Sequence, residues 1–281
     1  MTNGVLLTVL LAALMHALWN SLISRATDKG LFTMALHLCS AVLAVPMLWW
    51  VGLPHELSHP YLLASVLLHG LYIFVLTKVY AHSAFGPAYI VMRGMAPVFV
   101  TVIALVFLGE SFDRSSSLGL LFLTLGILFL MSTYQRHIAR SLRWGQIKFA
   151  LLNAGVIALY TVVDGAGARV SGSALSYVLL SAVFEPMLVY ALAYRQQTRA
   201  LWTFSKTNAC LIVLGSVISI AGYSMVLWAM TVSPMALVSA LRETSVVFAM
   251  LISILWFKEG RLLPAAFSTG LVLVGIAFLK M

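Results

Sequence analysis

Apolar residues run along this chain in stretches of about twenty, the length needed to cross ~30 Å of hydrocarbon as a helix. Each stretch is closed by a short polar or turn-forming patch. Ten can be drawn, approximately over 4–23, 31–52, 60–80, 86–108, 116–134, 146–163, 174–194, 209–230, 236–257 and 263–280. The runs are continuous, whereas the strands of a membrane barrel alternate and are about ten residues long, so the pattern predicts helices. The longest basic connection, Arg136 to Lys148, separates spans one to five from spans six to ten. An odd number of helices per half forces the second half to enter the membrane from the opposite side. The predicted fold class is therefore an all-α integral membrane protein with ten transmembrane helices in two inverted five-helix repeats. The repeats occupy 1–134 and 148–281, with a basic linker over 135–147.

Individual positions carry the same duplication. Arg93 and Arg242 lie 149 positions apart, as do Glu110 and Glu259. The same shift maps Val98-Phe99 onto Val247-Phe248, and Gly126 with Phe129 onto Gly275 with Phe278. Pro46 in span two and Pro186 in span seven occupy similar places, each followed by Met-Leu. Proline removes a backbone hydrogen bond and kinks a helix, so the pair offers each half a bend around a central site, or a simple packing adjustment. Duplicated halves with charges near membrane depth are how many secondary transporters are built.

Composition narrows the class further. Hydrophobic residues make up 62% of the 281 residues and charged residues 9%. A typical soluble domain carries roughly 25% charged residues, too many to be replaced by this composition. The net charge of +9 does not require nucleic acid, because membrane proteins collect Lys and Arg in cytoplasmic connections. The connections after spans one, five, seven and nine hold Arg25, Lys29, Arg136, Arg140, Arg143, Lys148, Arg195, Arg199, Lys206, Lys258 and Arg261. The opposite set holds Arg114, Arg169 and Lys280, which places both termini outside the cytoplasm. Cys39 and Cys210 lie far apart in apolar stretches and read as small buried residues. The first segment lacks a basic leader and a small-residue cleavage site, and reads as a permanent helix.

Charges inside apolar spans mark the candidate site, because an ionised group at mid-membrane costs ~2.5–3.5 kcal/mol unless it meets a partner or water. Glu185 lies near the middle of span seven, and Arg93, Arg242 and Glu243 lie about a third of the way into spans four and nine. Arg242 and Glu243 are chain neighbours pointing about 100° apart on a helix, so each needs a partner elsewhere. Interhelical glue is the alternative to a functional role. Tyr177, Ser181 and Glu185 form a stripe at intervals of four, and the carboxyl suits proton binding and release. In span one His16, Trp19 and Asn20 share a face and make a plausible wall for a polar substrate, or a belt tryptophan with two hydrogen-bonding neighbours. Asn153, Tyr160 and Asp164 form a comparable stripe, with Asp164 expected at a solvated helix end. Tyr72, Tyr89, Tyr223 and Trp228 could hold an amine by cation–π attraction or simply pack. Lys78 and His82 snorkel or lie in a loop.

The segments FLGESFDRSSSLGLLFLTLGILFL (107–130) and WFKEGRLLPAAFSTGLVLVGIAFL (256–279) resemble the EamA-like family of the drug/metabolite transporter superfamily. Both close the fourth helix of a repeat with Glu and continue into a Gly-containing fifth, and the likeness spans nearly the whole chain. HALWN (16–20), MRGMAP (92–97) and ALRETS (240–245) resemble one subgroup. The second repeat departs with Lys258 for Gly109 and Ser268 for Gly119. The resemblance implies a carrier of small metabolites, amino acids, nucleotide sugars or amines, with Glu110 and Glu259 in structural or gating roles.

Three function classes can be set against these residues. A membrane-embedded enzyme would need a nucleophile–base set or metal cluster, and no His, Glu or Asp group at helical spacing supplies one. The run GAGARVSG (165–172) is superficially similar to a phosphate loop but follows a membrane helix instead of a strand. No Walker motif is present, which argues against drive by ATP hydrolysis. A lipid-linked sugar flippase would want a lateral opening and a larger basic pocket. The preferred expectation is a secondary transporter working by alternating access, with protons as a coupling partner. Two arginines offset by two glutamates suit a zwitterion such as an amino acid; an organic anion or phosphate metabolite, or an amine, is the alternative. Substrate contacts are expected from His16, Trp19, Asn20, Tyr72, Arg93, Tyr160, Tyr177, Ser181, Glu185, Tyr223, Arg242 and Glu243. No cofactor or metal is expected; the partners are a small solute and the lipid bilayer. The expected state is a monomer or homodimer in the cytoplasmic membrane of a bacterium.

Overall fold

The computed structural model describes residues 1–82, 85–134, 144–257 and 262–280. Glu259, Lys258, Arg261, the linker residues Arg136, Arg140 and Arg143, and the side chains of His82 and Tyr89 lie outside the described residues. The described chain is helical: α1 (Asn3–Arg25), α2 (Lys29–Val51), α3 (His59–His82), α4 (Phe85–Phe107), α5 (Arg114–Tyr134), α6 (Trp144–Val170), α7 (Ala174–Val189), α8 (Thr198–Thr207), α9 (Ala209–Val232), α10 (Met235–Arg242), α11 (Ser245–Phe257) and α12 (Leu262–Lys280). Among the described residues seven segments are long and apolar enough to cross a membrane, and three shorter apolar helices accompany them. The outer surface is itself apolar, with Trp49 and Trp50 93% and 91% exposed beside many exposed leucines. Such a surface is stable only against lipid, so the protein is a multi-pass integral membrane protein.

Local chemistry explains where the helices begin. Asp28 accepts from the Leu31 N–H at 2.9 Å to cap α2, and Asp113 accepts from the Ser116 N–H at 2.9 Å at the start of α5. These carboxylates satisfy N–H groups that have no partner inside the helix. Gly172, at φ +72°, lets the chain reverse from α6 into α7.

Three elements differ from the sequence reading. The stretch expected to end at 163 continues to Val170, carrying Asp164, Gly165 and Gly167 inside a helix. Those glycines serve close packing: a Cβ at Gly167 would lie 2.5 Å from the Tyr177 ring, and one at Gly165 would lie 2.8 Å from the Met235 sulfur. The stretch 236–257, expected as one helix, is broken at Glu243 and Thr244 into α10 and α11. Tight bonds bridge the break, from the Glu243 N–H to the Ala240 carbonyl and from the Thr244 N–H to the Leu241 carbonyl. Finally, α7 passes through a π turn (Tyr190–Tyr194) into α8, an amphipathic helix that buries Leu201 against the α2 side and exposes Trp202 under the Lys206 ammonium.

Packing pairs elements across the two sequence halves. α5 lies along α12, α3 along α6, α9 along α1, and α2 along α7. α4 packs on α6, while α10 and α11 pack on α1. At the α5–α12 contact the repeated glycines face backbone: a Cβ at Gly275 would lie 2.8 Å from the Leu123 nitrogen, and one at Gly126 would meet Val272, Leu271 and the Ser268 carbonyl. Ser268 adds a hydrogen bond to the Gly126 carbonyl at 2.7 Å. Small residues let helix backbones approach, which is the usual basis of helix association in lipid.

Candidate functional site

A cavity of ≈ 160 Å³ lies among the middles of α1, α2, α3, α6, α7 and α9, and the C-terminal end of α10. His16, Trp19, Tyr160, Glu185, Tyr223 and Arg242 contribute to its wall. His37, Ser40, His69 and Ser181 also line it.

Arg242 is the last residue of α10, and the helix break beyond it sends the chain's two neighbouring charges in different directions. Its guanidinium stands over the Tyr223 ring, 5.4 Å from the centroid. Among the described residues no ion pair or hydrogen bond to it is found, so its donors are turned to the cavity. Glu243 turns instead into the protein, 5% exposed, where its Oε1 pairs with Arg93 Nη1 at 3.3 Å. The other oxygen, Oε2, is buried without a partner among the described residues. Arg93 Nη2 also donates to His16 Nε2 at 2.6 Å. A guanidinium has only donors, so this pairing assigns the His16 hydrogen to Nδ1. The His16 ring meets Trp19 edge to face at 5.2 Å. Arg93 thus supports the cavity wall from behind through His16.

A second cluster forms where α3, α6 and α7 meet. One ring nitrogen of His69 and one carboxylate oxygen each from Asp164 and Glu185 lie within 4.8 Å of one another. Glu185 Oε1 accepts from the Ser65 hydroxyl at 3.2 Å and lies 3.4 Å from His69 Nδ1. Asp164 is fully buried and accepts from the hydroxyls of Tyr177, at 3.1 Å, and Tyr223. The His69 ring packs against Tyr160 at 4.2 Å, and Tyr160 meets Tyr72 edge to face at 6.1 Å. The spacing would admit a small cation. His69 Nδ1 lies 3.0 Å from the Ser65 carbonyl, which can only accept, so this nitrogen carries its hydrogen and the ring's lone pair is on Nε2.

Of the residues singled out from sequence, His16, Trp19, Tyr160, Ser181, Glu185, Tyr223 and Arg242 meet at the cavity. Asn20 is turned along its own helix, donating to the His16 carbonyl at 2.7 Å. Tyr72, Tyr177, Arg93 and Glu243 stand behind the wall. Asp164 sits in the helix and not at a solvated end, because α6 runs on past it. Sequence reasoning misses His69 and undervalues Asp164, because their partners come from other helices and show no local spacing. Trp228 lines a separate open groove of ≈ 690 Å³ beside Arg169. That arginine is already engaged, donating to the carbonyls of Met230 and Ser233 and to Glu110.

No curated protein matches the chain by sequence. A solved structure, described only as a crystal structure of a protein, shares its fold with a TM-score of 0.70 at 16% identity, covering 98% of this chain and 95% of the other. Residues 144–281 match the family model described as the EamA-like transporter family, whose members are membrane transporters of the drug/metabolite type. With apolar helices, a polar cavity at their middles and this match together, residues 144–281 of the chain are similar to the EamA-like transporter family.

Proposed function

We propose that the protein is a secondary transporter that carries a small zwitterion, an amino acid or close relative, by alternating access. The observation that carries this reading is Arg242, a cation without an ion pair among the described residues that lines the same cavity as Glu185. A planar guanidinium grips a carboxylate through two parallel hydrogen bonds. Glu185 supplies an acceptor for the solute's ammonium, and the Tyr160 and Tyr223 rings give that ammonium an electron-rich wall. The neutralisation of Arg93 by Glu243 leaves one arginine for the solute, which favours a zwitterion over a multiply charged phosphate.

Alternating access draws support from the reciprocal packing. Exchanging the five helices of one half for those of the other turns the α3–α6 contact into the α9–α1 contact, as an inverted duplication requires. The break between α10 and α11, beside the cavity, is the kind of discontinuous helix found at transporter midplanes. The basic side chains of Arg25, Lys29, Lys148, Arg195, Arg199 and Lys206 belong to one set of connections, which favours termini outside the cytoplasm.

An organic anion or an amine is the second reading, favoured respectively by Arg242 with the histidines and by the aromatic wall. A lipid-linked sugar is disfavoured by the cavity's ≈ 160 Å³. The test is counterflow in proteoliposomes against panels of amino acids, amines and organophosphates. Exchange confined to the amino-acid panel is the expected result; exchange confined to phosphates or to amines would overturn the zwitterion assignment.

A further inference from the structure

We propose that His69, Asp164 and Glu185 form a proton-binding site next to the substrate cavity, through which transport is coupled to the proton gradient. The proposal rests on the carrier reading above and adds the identity of the coupling ion and the residues that hold it.

The geometry points to a small cation. One oxygen from each of two carboxylates lies within 4.8 Å of the other and of a His69 ring nitrogen, at the junction of three helices. Among the described residues every direct donor to these carboxylates is neutral or a histidine: Tyr177 and Tyr223 for Asp164, Ser65 and His69 for Glu185. Among the described residues neither carboxylate has a lysine or arginine in ion-pair reach. This sets the cluster apart from Glu243, whose charge is met by Arg93. Two adjacent negative charges repel strongly where the surroundings are apolar, and a proton on one oxygen removes the repulsion while adding a donor.

His69 enters this cluster as a hydrogen-bond donor. Its Nδ1 hydrogen is directed at the Ser65 carbonyl and lies within reach of Glu185, so the nitrogen already acts as a donor to the cluster. On proton binding an O–H bond forms at a Glu185 or Asp164 oxygen, with the proton drawn from water in the cavity. On release it returns to water on the other face of the membrane. No oxidant or further reactant is needed.

Among the described residues the other charged and titratable groups facing this cluster are His37 from α2, Tyr160 from α6, Tyr177 from α7, Tyr223 from α9, His16 from α1 and Arg242 from α10. Arg93 and Glu243 lie farther back and offset each other. Tyr223 joins the two parts of the site: its hydroxyl donates to Asp164 and its ring lies beneath the Arg242 guanidinium. A change of charge at Asp164 is thereby felt at the cation held for the solute's carboxylate.

The test needs no solute. Infrared difference spectra of the full chain in liposomes, taken across about pH 5 to 8, read the C=O band of protonated carboxyl groups directly. The parent should show a buried carboxyl band that titrates in this window. Glu185→Gln and Asp164→Asn should each remove half or more of it, His69→Gln should shift its midpoint, and the surface change Glu56→Gln should leave it intact. If Glu185→Gln does not fold, Glu185→Asp takes its place and should shift the band. The proposal is overturned if the parent band is absent, if it survives both carboxyl variants, or if the spectra respond to zinc chloride and not to pH. Loss of the proposal in this way leaves the solute counterflow result standing, and a failed counterflow screen leaves the band unexplained by transport.

Discussion

Replacing Arg93 with methionine strands the Glu243 carboxylate in a site where it is 5% exposed and already has one oxygen without a partner. Breaking a buried ion pair from one side costs about 3–5 kcal/mol, whereas removing both charges costs far less. Arg93→Met should therefore lower the denaturation midpoint sharply in detergent, and Arg93→Met with Glu243→Met should recover most of it. Failure of the double variant to recover would mean that the pair holds more than its own charges. Arg242 has the opposite profile. Arg242→Lys keeps the charge and loses the planar fork, so affinity for a carboxylate solute should fall about tenfold, near 1.4 kcal/mol, with the midpoint little changed. Asn20→Leu removes only a bond to the helix's own His16 carbonyl, and its effect on transport should be small. At this scale sequence singled out the costly charges, of which Arg93, Glu185 and Arg242 lie on helices and Glu243 at a break, but the partners were not legible. Arg93 and Arg242 lie 149 positions apart in sequence, yet Arg93 is paired with Glu243 while Arg242 has no ion pair among the described residues.

The helices of this protein are held together through their small residues. At Gly275 an added Cβ would lie 2.8 Å from the Leu123 nitrogen and 2.9 Å from the Gly119 carbonyl, contacts that backbone cannot relieve by turning a side chain. Gly275→Ala should cost about 1–3 kcal/mol as overpacking. Gly155, inside α6, has no such neighbour within 4 Å. Gly155→Ala should stabilise by up to about 1 kcal/mol through helix propensity. Thermal melts of the two variants should move in opposite directions. The start of α5 carries a pH dependence. Hydrogen bonds from the Ser116 side chain and backbone, and from Ser115, hold the Asp113 carboxyl down from 3.8 to about 2. A depressed carboxyl stabilises the folded state above its unfolded value and loses that contribution as pH falls through the folded one. The cap should thus be intact above pH 3.8 and lost toward pH 2, and Asp113→Asn should abolish that acid dependence in amide-exchange protection at Ser116. Most elements were legible as long apolar runs. The α10–α11 break was not, since no proline or glycine marks Glu243–Thr244, and α8 was not, since ten amphipathic residues give no apolar run.

Across the whole molecule, one end of the bundle is stitched between the sequence halves. Glu110, from the first half, accepts from the Met235 N–H at 2.7 Å and the Ala236 N–H at 3.3 Å, and pairs with Arg169 at 3.3 Å. The carboxylate thereby caps α10, the helix whose far end carries Arg242. The His55 N–H adds a bond to the Ser171 carbonyl at 2.9 Å. If the halves part here during transport, Glu110→Gln weakens the closure. Thiol labelling of Ser224→Cys, with Cys39 and Cys210 changed to serine, should then rise several-fold. Unchanged labelling would assign Glu110 to static support.

Sequence alone determined the solvent and the helical class, because hydrocarbon thickness sets run length. It also showed which residues were too costly to bury without a reason. Only the tertiary structure decided how those residues were matched. The Arg93–Glu243 pair, the cation left at Arg242 and the meeting of His69, Asp164 and Glu185 each join side chains from different helices. Charge interactions act through space over a few ångströms, and distance along the chain carries no record of them.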